Sequence, residues 1–260
     1  MASAVEPPGP RIFTPAYYEA LDQFEQQPWS ANMQRLALAL LDRHGGSFRR
    51  VLDAGCGAGY FTRLLRDRRQ ITVAVGLDSS RDALGVGRRR GLRDLVAGSV
   101  AALPFRHGAF DAVYSADVLQ HLDSAAAAGT LAEFARALRP GGLLLIRTAA
   151  RRGLGSKKHR DTADYQQWAP EKLRAALEAS GFAVEWISLL NWLPSLVADL
   201  RAWRRPAPAG DAGLPSGAAE PSPWRQWVWS AYWRVETAAV LALGFRPPGG
   251  HTLLCLARKP

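Results

Sequence analysis

A glycine-rich loop in VLDAGCGAGYFTRLL stands between an apolar run and a helical pattern. Asp53 precedes the loop, and Gly55, Gly57 and Gly59 follow at alternate positions. A glycine loop between a strand and a helix is typical of nucleotide binding. The spacing does not match the dinucleotide fingerprint, and no Gly-Lys-Ser or Gly-Lys-Thr follows as in a phosphate loop. A carboxylate before the first glycine would also repel phosphate, so it indicates a ligand with a cationic end.

A second carboxylate, Asp78, ends the next apolar run in VAVGLDSS. In a doubly wound sheet, an acid at this strand end can accept both hydroxyls of a ribose. Either acid could instead be structural, because Asp53 could close a turn and Asp78 could cap the next helix through Ser80. Their positions at successive strand ends beside three glycines favour a nucleoside ligand.

The composition of the 260 residues is that of a folded globular protein, with 48% hydrophobic and 22% charged residues. Two cysteines, Cys56 and Cys255, form neither a disulfide framework nor a metal-ligand cluster, so we expect no metal and a reducing, cytoplasmic location. The first residues, MASAVEPPGPRIFT, do not have the pattern of a secretory signal. The longest apolar stretch, WISLLNWLPSLVADL, is shorter than the roughly 20 residues of a spanning helix, so we expect no transmembrane segment.

The formal net charge of the chain is +10. Its arginines are spread along the sequence, and the densest group is Arg88, Arg89 and Arg90. A basic domain is only the first feature of a nucleic-acid-binding protein. We therefore rank nucleic acid below a small molecule as the binding partner, without excluding it, and we make no prediction of the oligomeric state.

Strands and helices alternate along most of the chain. Apolar runs predict strands at 50–54, 71–77, 95–97, 112–115, 143–148, 182–188 and 252–257. Helical patterns predict helices at 60–68, 81–90, 124–138 and 170–180, and a further helical segment at 15–44 that is broken near Pro28. This alternation predicts the α/β class, with a parallel sheet covered on both faces.

Together the motifs resemble those of the class I S-adenosylmethionine-dependent methyltransferases. VLDAGCGAGYFTRLL, VGLDSS, AGSVAALPF, FDAVYSADVLQHL and ALRPGGLLLIRT follow one another between about 50 and 148 in that family's order and spacing. They are similar to the methyltransferase type 11 branch, which includes quinone-biosynthesis and many small-molecule methylases. The resemblance implies S-adenosyl-L-methionine as cofactor, S-adenosyl-L-homocysteine as product, and a Rossmann-like sheet of seven mostly parallel strands with the last strand antiparallel.

We divide the chain into four parts. An N-terminal tail with lid helices is predicted at 1–46, a cofactor-binding α/β core at 47–189, and the final strand of the core sheet at 247–260. Between the last two, residues 190–246 form an aromatic helical insertion that we expect to cap the acceptor. Its Pro-, Ala- and Gly-rich part at about 205–223 has no core-forming power.

The resemblance implies a set of residues that contact the cofactor. This set is Asp53, Gly55, Cys56, Gly57, Asp78, Ser79, Ser99, Val100 and Ser115. Asp53 and the glycines would hold the methionine part, Asp78 the ribose hydroxyls, and Val100 would border the adenine. The family usually has aspartate where Ser99 stands. A serine hydroxyl is a weaker acceptor for the adenine amine than a carboxylate, so this departure predicts weaker cofactor binding rather than its loss.

Methyl transfer from a sulfonium requires alignment of the nucleophile, exclusion of water and, for some acceptors, removal of a proton. The candidate base is His121 in SADVLQHL, just past a strand whose carboxyl end borders the predicted crevice. A structural histidine that orients the loop is the alternative. Asp117 is the second candidate.

Two aromatic segments are candidates for the acceptor pocket. YYEALDQFEQQPW contains Tyr17, Tyr18 and Trp29 and resembles the lid helix of the family. PWRQWVWSAYWRVETAAVLAL contains Trp229 and Trp233, the other two predicted acceptor contacts.

The second of these segments is aromatic on both sides when drawn as a helix. One face carries Trp224, Trp227, Val228, Ala231, Val235 and Ala238, and the opposite face carries Trp229, Trp233 and Glu236. Such a helix is buried on both sides, lines a pocket, or lies against lipid with its arginines outward. We rank core packing first, a lid over the acceptor second and peripheral membrane contact third.

Three functions remain, in this order. The first is methylation of a small hydrophobic or aromatic molecule, on oxygen in preference to nitrogen or carbon, as in secondary-metabolite or quinone-type biosynthesis. The second is methylation of RNA or DNA; against it, the strand end that carries Asn-Pro-Pro-Tyr in amino-directed enzymes reads Ser115-Ala-Asp117-Val, and no Pro-Cys nucleophile is present. The third is a non-catalytic cofactor-binding module, for which only Ser99 argues.

Overall fold

The structure is a computed structural model that describes residues 17–19, 25, 27–45, 48–150, 166–204 and 223–260. The N-terminal tail and nearly all of the predicted loop at about 205–223 lie outside the described residues.

The described part of the chain alternates between strands and helices, as its apolar pattern predicts. In chain order the elements are α1 (Pro28–Gly45), β1 (Arg50–Ala54), α2 (Tyr60–Arg66), β2 (Val73–Asp78), α3 (Arg81–Arg89), β3 (Leu95–Ala97), β4 (Phe110–Ala116), a 3₁₀ turn (Leu119–His121), α4 (Ser124–Ala137), β5 (Leu138–Ala149), α5 (Pro170–Ala179), β6 (Ala183–Leu190), α6 (Trp192–Arg204), α7 (Pro223–Leu243) and β7 (Thr252–Arg258). The largest difference from the predicted bounds is the start of β5. It begins at Leu138 because Leu138 already pairs with Phe110, before a register shift in β4.

The strands form a seven-stranded sheet in the order β3-β2-β1-β4-β5-β7-β6. Neighbouring strands are parallel except β7, which is antiparallel to both β5 and β6. This arrangement confirms the predicted Rossmann-like class with an antiparallel last strand. The strand order reverses between β1 and β4, and in such sheets the crevice outside the carboxyl ends of these two strands is the usual ligand site.

Both faces of the sheet are buried. In β4, Val113 packs into the cluster that also holds Phe134 of α4 and Leu173 of α5. Ala112 packs on the opposite face, in the cluster that holds Leu36 of α1 and residues of α2 and α7. Because both faces are covered, the central strands read as continuous apolar runs rather than as an alternating pattern.

Helix α7 packs against α1, and its orientation decides between the two faces seen in the sequence. The face with Glu236 is turned inward, since Glu236 is buried, whereas Trp224 and Trp227 are 68% and 70% exposed. Within the described residues, no helix combines the length and the apolar character needed to cross a membrane.

Candidate active site

The glycine loop turns directly after β1. The backbone N–H groups of Gly55 and Cys56 both donate to the carbonyl oxygen of Leu77, at 2.7 and 3.0 Å, which ties the loop to the end of β2. Gly55 has φ +83°, and a Cβ atom there would lie 2.1 Å from Cγ2 of Val118. Gly57 has φ +55°, but a Cβ atom there would meet no other atom within 4 Å. The loop therefore needs glycine at both positions, and at Gly57 it leaves space in which a ligand can approach the backbone.

Asp78 links the glycine loop to the turn after β2. Its Oδ2 accepts the N–H of Gly57 and its Oδ1 accepts the N–H of Ser80, both at 2.8 Å. Ser80 in turn caps α3, because its Oγ accepts the N–H of Ala83. A carboxylate has about four lone-pair sites. The structural role proposed for Asp78 as an alternative is thus present, and the same carboxylate can still accept two ligand hydroxyls.

Asp53 lies at the floor of the site, where it is 2% exposed. Its Oδ2 accepts the hydroxyl hydrogen bond of Thr62 at 2.7 Å. Burial raises the pKa of Asp53 to about 7, helped by the charges of Asp78 and Glu25 and opposed by the bonds from Thr62. Asp53 therefore changes its protonation state near neutral pH.

We expect the affinity for S-adenosylhomocysteine to rise about tenfold from about pH 6 to about pH 8, because only ionised Asp53 attracts an ammonium group and its pKa is about 7. The stability of the unliganded protein should change in the opposite direction. The folded-state pKa is above the ordinary value of 3.8 for an aspartate, so the stabilisation is complete below about pH 4 and is lost as the pH rises through about 7. Calorimetric titration across this range measures the affinity. Asp53→Asn is the control that should remove the dependence, and a parent affinity that is constant with pH would contradict the expectation.

The glycine loop, Asp53 and Asp78 open onto one cleft with a volume of about 610 Å³. All of the predicted cofactor contacts except Ser115 line it, namely Asp53, Gly55, Cys56, Gly57, Asp78, Ser79, Ser99 and Val100. Ser115 is buried, and its hydroxyl donates to the carbonyl oxygen of Ala54, so it joins β4 to β1 instead. The hydroxyl oxygen of Ser99 accepts the N–H of Ala101 at 3.2 Å, and Ser99 itself is exposed.

Two tyrosines of the N-terminal segment close one side of the cleft. Tyr17 and Tyr18 both line it, with their rings edge to face at a centroid distance of 5.3 Å. Tyr18 is buried against Ala83 and Val86 of α3, and Glu19 pairs with Arg89 of the same helix at 3.2 Å. These contacts hold the described segment 17–19 over the glycine loop, where a lid would be.

The other predicted acceptor contacts lie elsewhere. Trp29, Trp229 and Trp233 are not among the described residues that line the cleft. Trp229 and Trp233 contact each other within α7, with ring centroids 6.1 Å apart. The ring of Trp29 lies 5.6 Å from the guanidinium carbon of Arg147, so Trp29 borders a residue of the cleft without facing the cleft itself.

A buried ion pair lies on the far wall of the cleft. Arg147, near the end of β5, is 4% exposed, and its Nη2 donates to Oδ2 of Asp117 at 2.5 Å. The N–H of Asp117 donates to the carbonyl oxygen of Arg147, and Asp117 has a left-handed φ of 58°, which is uncommon outside glycine. Burial opposes the charge of Arg147, but Asp117, Tyr114 and Glu25 together outweigh it, so the pKa of Arg147 is raised and the side chain stays charged.

Two donor atoms of Arg147, Nε and Nη1, are buried without a hydrogen-bond partner. Leaving charged donors unpaired in the interior is costly, so such groups in a native structure call for a functional or structural explanation. Glu25 also lines the cleft, but its carboxylate accepts hydrogen bonds from Ser30 and Gln34. Arg147 therefore keeps two unpartnered donors, Nε and Nη1, on different edges of its guanidinium.

Arg147 and Glu25 line the cleft but belong to none of the residues predicted from the sequence motifs. The signal for Arg147 is a single arginine in LLLIRT, an apolar run that predicts a buried strand. A charged residue inside such a run is rarely buried without a partner, so it marks a site. Glu25 carries no such signal, because it lies in a polar stretch.

The two candidate bases differ in their surroundings. Asp117 lines the cleft, but its carboxylate is held by Arg147. His121 is exposed at the rim of the cleft, on the 3₁₀ turn whose neighbour Gln120 accepts the N–H of Ala149 at 2.8 Å. The described residues contain no group of three His, Cys, Asp or Glu side chains that could hold a metal ion.

The central part of the chain matches a known family. Residues 52–146 match the family described as "Methyltransferase domain". The chain is 39% identical over 101 residues to a malonyl-[acyl-carrier protein] O-methyltransferase of Serratia marcescens, covering 38% of each chain. It is 35% identical over 135 residues to the enzyme of the same name from Enterobacter lignolyticus, covering 52% of this chain and 49% of that one. The match thus spans less than half of the length of either relative.

Solved structures with low sequence identity have the same fold. A methyltransferase in complex with the Haloferax volcanii Trm112 activator superposes with a TM-score of 0.63 at 21% identity, covering 97% of this chain and all of that one (100%). Phosphoethanolamine N-methyltransferase 2 of Haemonchus contortus, in complex with S-adenosyl-L-methionine, gives a TM-score of 0.62 at 20% identity, covering 96% of this chain and 58% of that one. At these identities the likeness concerns the fold alone.

Proposed function

We propose, on the premise that residues 52–146 form a class I S-adenosylmethionine-dependent methyltransferase domain, that the protein transfers a methyl group to an oxygen of a small acceptor and that this oxygen belongs to a carboxylate. The observation that carries the proposal is the pair of unpartnered, buried donors of Arg147 in the wall of the cleft.

The residues of the cleft suit the cofactor. Asp78 keeps lone pairs for the ribose hydroxyls, Gly57 leaves the space that a Cβ atom would fill, and Asp53 suits the ammonium group of the methionine part. Ser99 and Val100 line the same cleft, and we infer that they border the adenine. S-Adenosylmethionine supplies an electrophilic methyl group on a sulfonium.

The two unpartnered donors of the guanidinium, Nε and Nη1, match a carboxylate in charge, and each would bind an oxygen separately because they lie on different edges of the group. A carboxylate is ionised at neutral pH, so it attacks without a general base. The absence of a need for a base agrees with the surroundings of the two candidate bases, because Asp117 is paired with Arg147 and His121 is exposed at the rim of the cleft. A carboxylate acceptor also agrees with the relatives' names, which specify O-methylation of a malonyl group.

The rest of the acceptor is proposed to be hydrophobic or aromatic. The rings of Tyr17, Phe61 and Tyr114 line the cleft, and those of Phe61 and Tyr114 are 3.9 Å apart at their centroids. Such rings bind apolar or flat groups and exclude water. Residues 17–19 belong to the proposed lid. The cap role of residues 190–246 stays a prediction, because the described lining residues come from other parts of the chain.

To test this proposal, the protein is incubated with methyl-labelled S-adenosylmethionine and one acceptor at a time. The acceptors are a malonyl thioester, a medium-chain fatty acid, the amide of that acid, a phenol and bulk tRNA. The expected product is a methyl ester, which releases labelled methanol in dilute base. The amide should give no product, because it has no anionic oxygen. Base-stable label in the phenol or in tRNA, without ester formation, would contradict the carboxylate assignment.

A further inference from the structure

The inward face of α7 is fixed by polar contacts that only one orientation of the helix can make. Asn32 of α1 donates to the hydroxyl of Thr237 at 2.8 Å and to the carbonyl oxygen of Trp233 at 3.2 Å. The buried Glu236 accepts the N–H groups of Asn191 and Trp192, at 3.1 and 3.2 Å. Rotating α7 about its axis by half a turn would leave Glu236 and these donors without hydrogen-bond partners. The other face of the helix must therefore point outward.

That outward face is apolar over the length of the helix. At about 100° per residue it forms a stripe less than a third of the circumference wide. Its members are Trp224, Trp227, Val228, Ala231, Val235, Ala238 and Ala242. The four large ones are 68%, 70%, 44% and 68% exposed, in chain order. Normal surface helices place polar residues on this side, so the pattern is reversed.

Helix α6 extends the apolar surface. It starts beside α7, because the N–H of Leu193 donates to the hydroxyl oxygen of Tyr232 at 3.2 Å. Trp192, Leu193, Leu196 and Leu200 are 40%, 38%, 43% and 53% exposed. We call these four residues, together with Trp224, Trp227, Val228 and Val235, the α6–α7 face. A group of exposed large apolar side chains on two neighbouring helices indicates an interaction surface.

Arginines outnumber acids in the two helices that carry the α6–α7 face, and α6 contains Asp199, Arg201 and Arg204. Within residues 223–246 the charged residues are three arginines and the buried Glu236. Arg234 and Arg246 are exposed, and the whole chain carries a net charge of +10. An apolar stripe rich in tryptophan, flanked by arginine, is the composition of helices that lie in the headgroup region of a membrane.

We propose that the α6–α7 face docks the protein on the surface of an anionic lipid bilayer. The tryptophan rings would enter the boundary between headgroups and acyl chains, while the arginines pair with anionic headgroups. A protein partner or a second copy of the chain would also cover an apolar face. Neither calls for a basic margin next to exposed tryptophans, whereas anionic lipid does. This surface is separate from the residues that line the cleft, so the inference does not depend on the identity of the acceptor.

Co-sedimentation with large unilamellar vesicles tests the proposal. We expect the full chain to partition onto vesicles of phosphatidylcholine with an equal amount of phosphatidylglycerol at least tenfold more strongly than onto phosphatidylcholine alone. The double variant W224S/W227S should lower partitioning onto the anionic vesicles at least tenfold. R234E should lower it less, and only at low salt. V73S is the matched control, because Val73 is 43% exposed on β2, away from the face, and it should bind as the parent does.

Three results would overturn the inference: no binding to anionic vesicles at low salt, equal binding by W224S/W227S and the parent, or a dimer in light scattering that this double variant dissociates. The last result would assign the face to a second copy of the chain. Trp224 and Trp227 are exposed, so an unchanged melting temperature and unchanged S-adenosylhomocysteine binding should accompany the loss of vesicle binding.

Discussion

Asp78→Ala is expected to weaken the binding of S-adenosylhomocysteine by at least about 100-fold. The substitution removes the acceptor for two ribose hydroxyls. Hydrogen bonds to a charged group contribute about 1.5 to 3 kcal/mol each, and about 1.4 kcal/mol corresponds to a factor of ten. It also releases the N–H of Gly57, which Asp78 holds at 2.8 Å, so the glycine loop loses one of its hydrogen bonds to the end of β2.

Calorimetric titration measures this effect, and Asp94→Ala is the control. Asp94 is more than half exposed and pairs only loosely with Arg66, at 3.8 Å, so its removal should leave the affinity within about twofold. Gly57→Val should be as damaging as Asp78→Ala, because a β-branched residue is strained at φ +55° and its side chain would occupy the cleft. Parent-like affinity in both variants would refute the cofactor assignment.

Arg147→Met is expected to lower kcat/KM for a carboxylate acceptor about 1000-fold while leaving S-adenosylhomocysteine binding within about threefold. Two charge-assisted hydrogen bonds of about 2 kcal/mol each are lost, and each 1.36 kcal/mol is a factor of ten in rate. Methionine fills the space with an apolar chain. Asp117, which loses its partner, is 43% exposed and can be solvated, so the fold should persist.

Two further variants separate recognition of the acceptor from a structural effect. Arg147→Lys keeps the charge but not the planar edge, so it should retain an intermediate activity. Arg139→Met removes another arginine of β5, which pairs with Asp111 at 2.9 Å away from the cleft, and should leave kcat/KM nearly unchanged. If Arg147→Met were as active as the parent on carboxylates, the proposed acceptor class would be wrong.

The fold, and the single cleft that most of the candidate cofactor residues line, could be predicted from the sequence because their signals are local. Asp53 and the glycines are contiguous, and the strand before them and the helix after them define which edge of the sheet they occupy. Asp78 follows one strand later, and parallel strands bring both carboxylates to that edge. The strand bounds were predicted to within a few residues because strands buried on both faces stand out as apolar runs.

The tertiary structure decided the features that depend on contacts between distant segments. Arg147 reaches the cleft from β5, and its two unpartnered donors become visible only when its neighbours are in place. The direction of the Ser115 hydroxyl depends on the carbonyl of Ala54 in the neighbouring strand, which strand patterns do not specify.

In helix α7 the sequence determines which residues share a face, and the tertiary structure determines which face is buried. Its periodicity predicts two apolar faces, one with Trp224 and one with Trp229, and the helix alone does not distinguish them. The choice is made by Asn32 of α1 and by the backbone N–H groups at the start of α6, which require Thr237 and Glu236 as partners. Periodicity determines which residues share a face, but the cost of burying polar groups without partners decides which face turns inward.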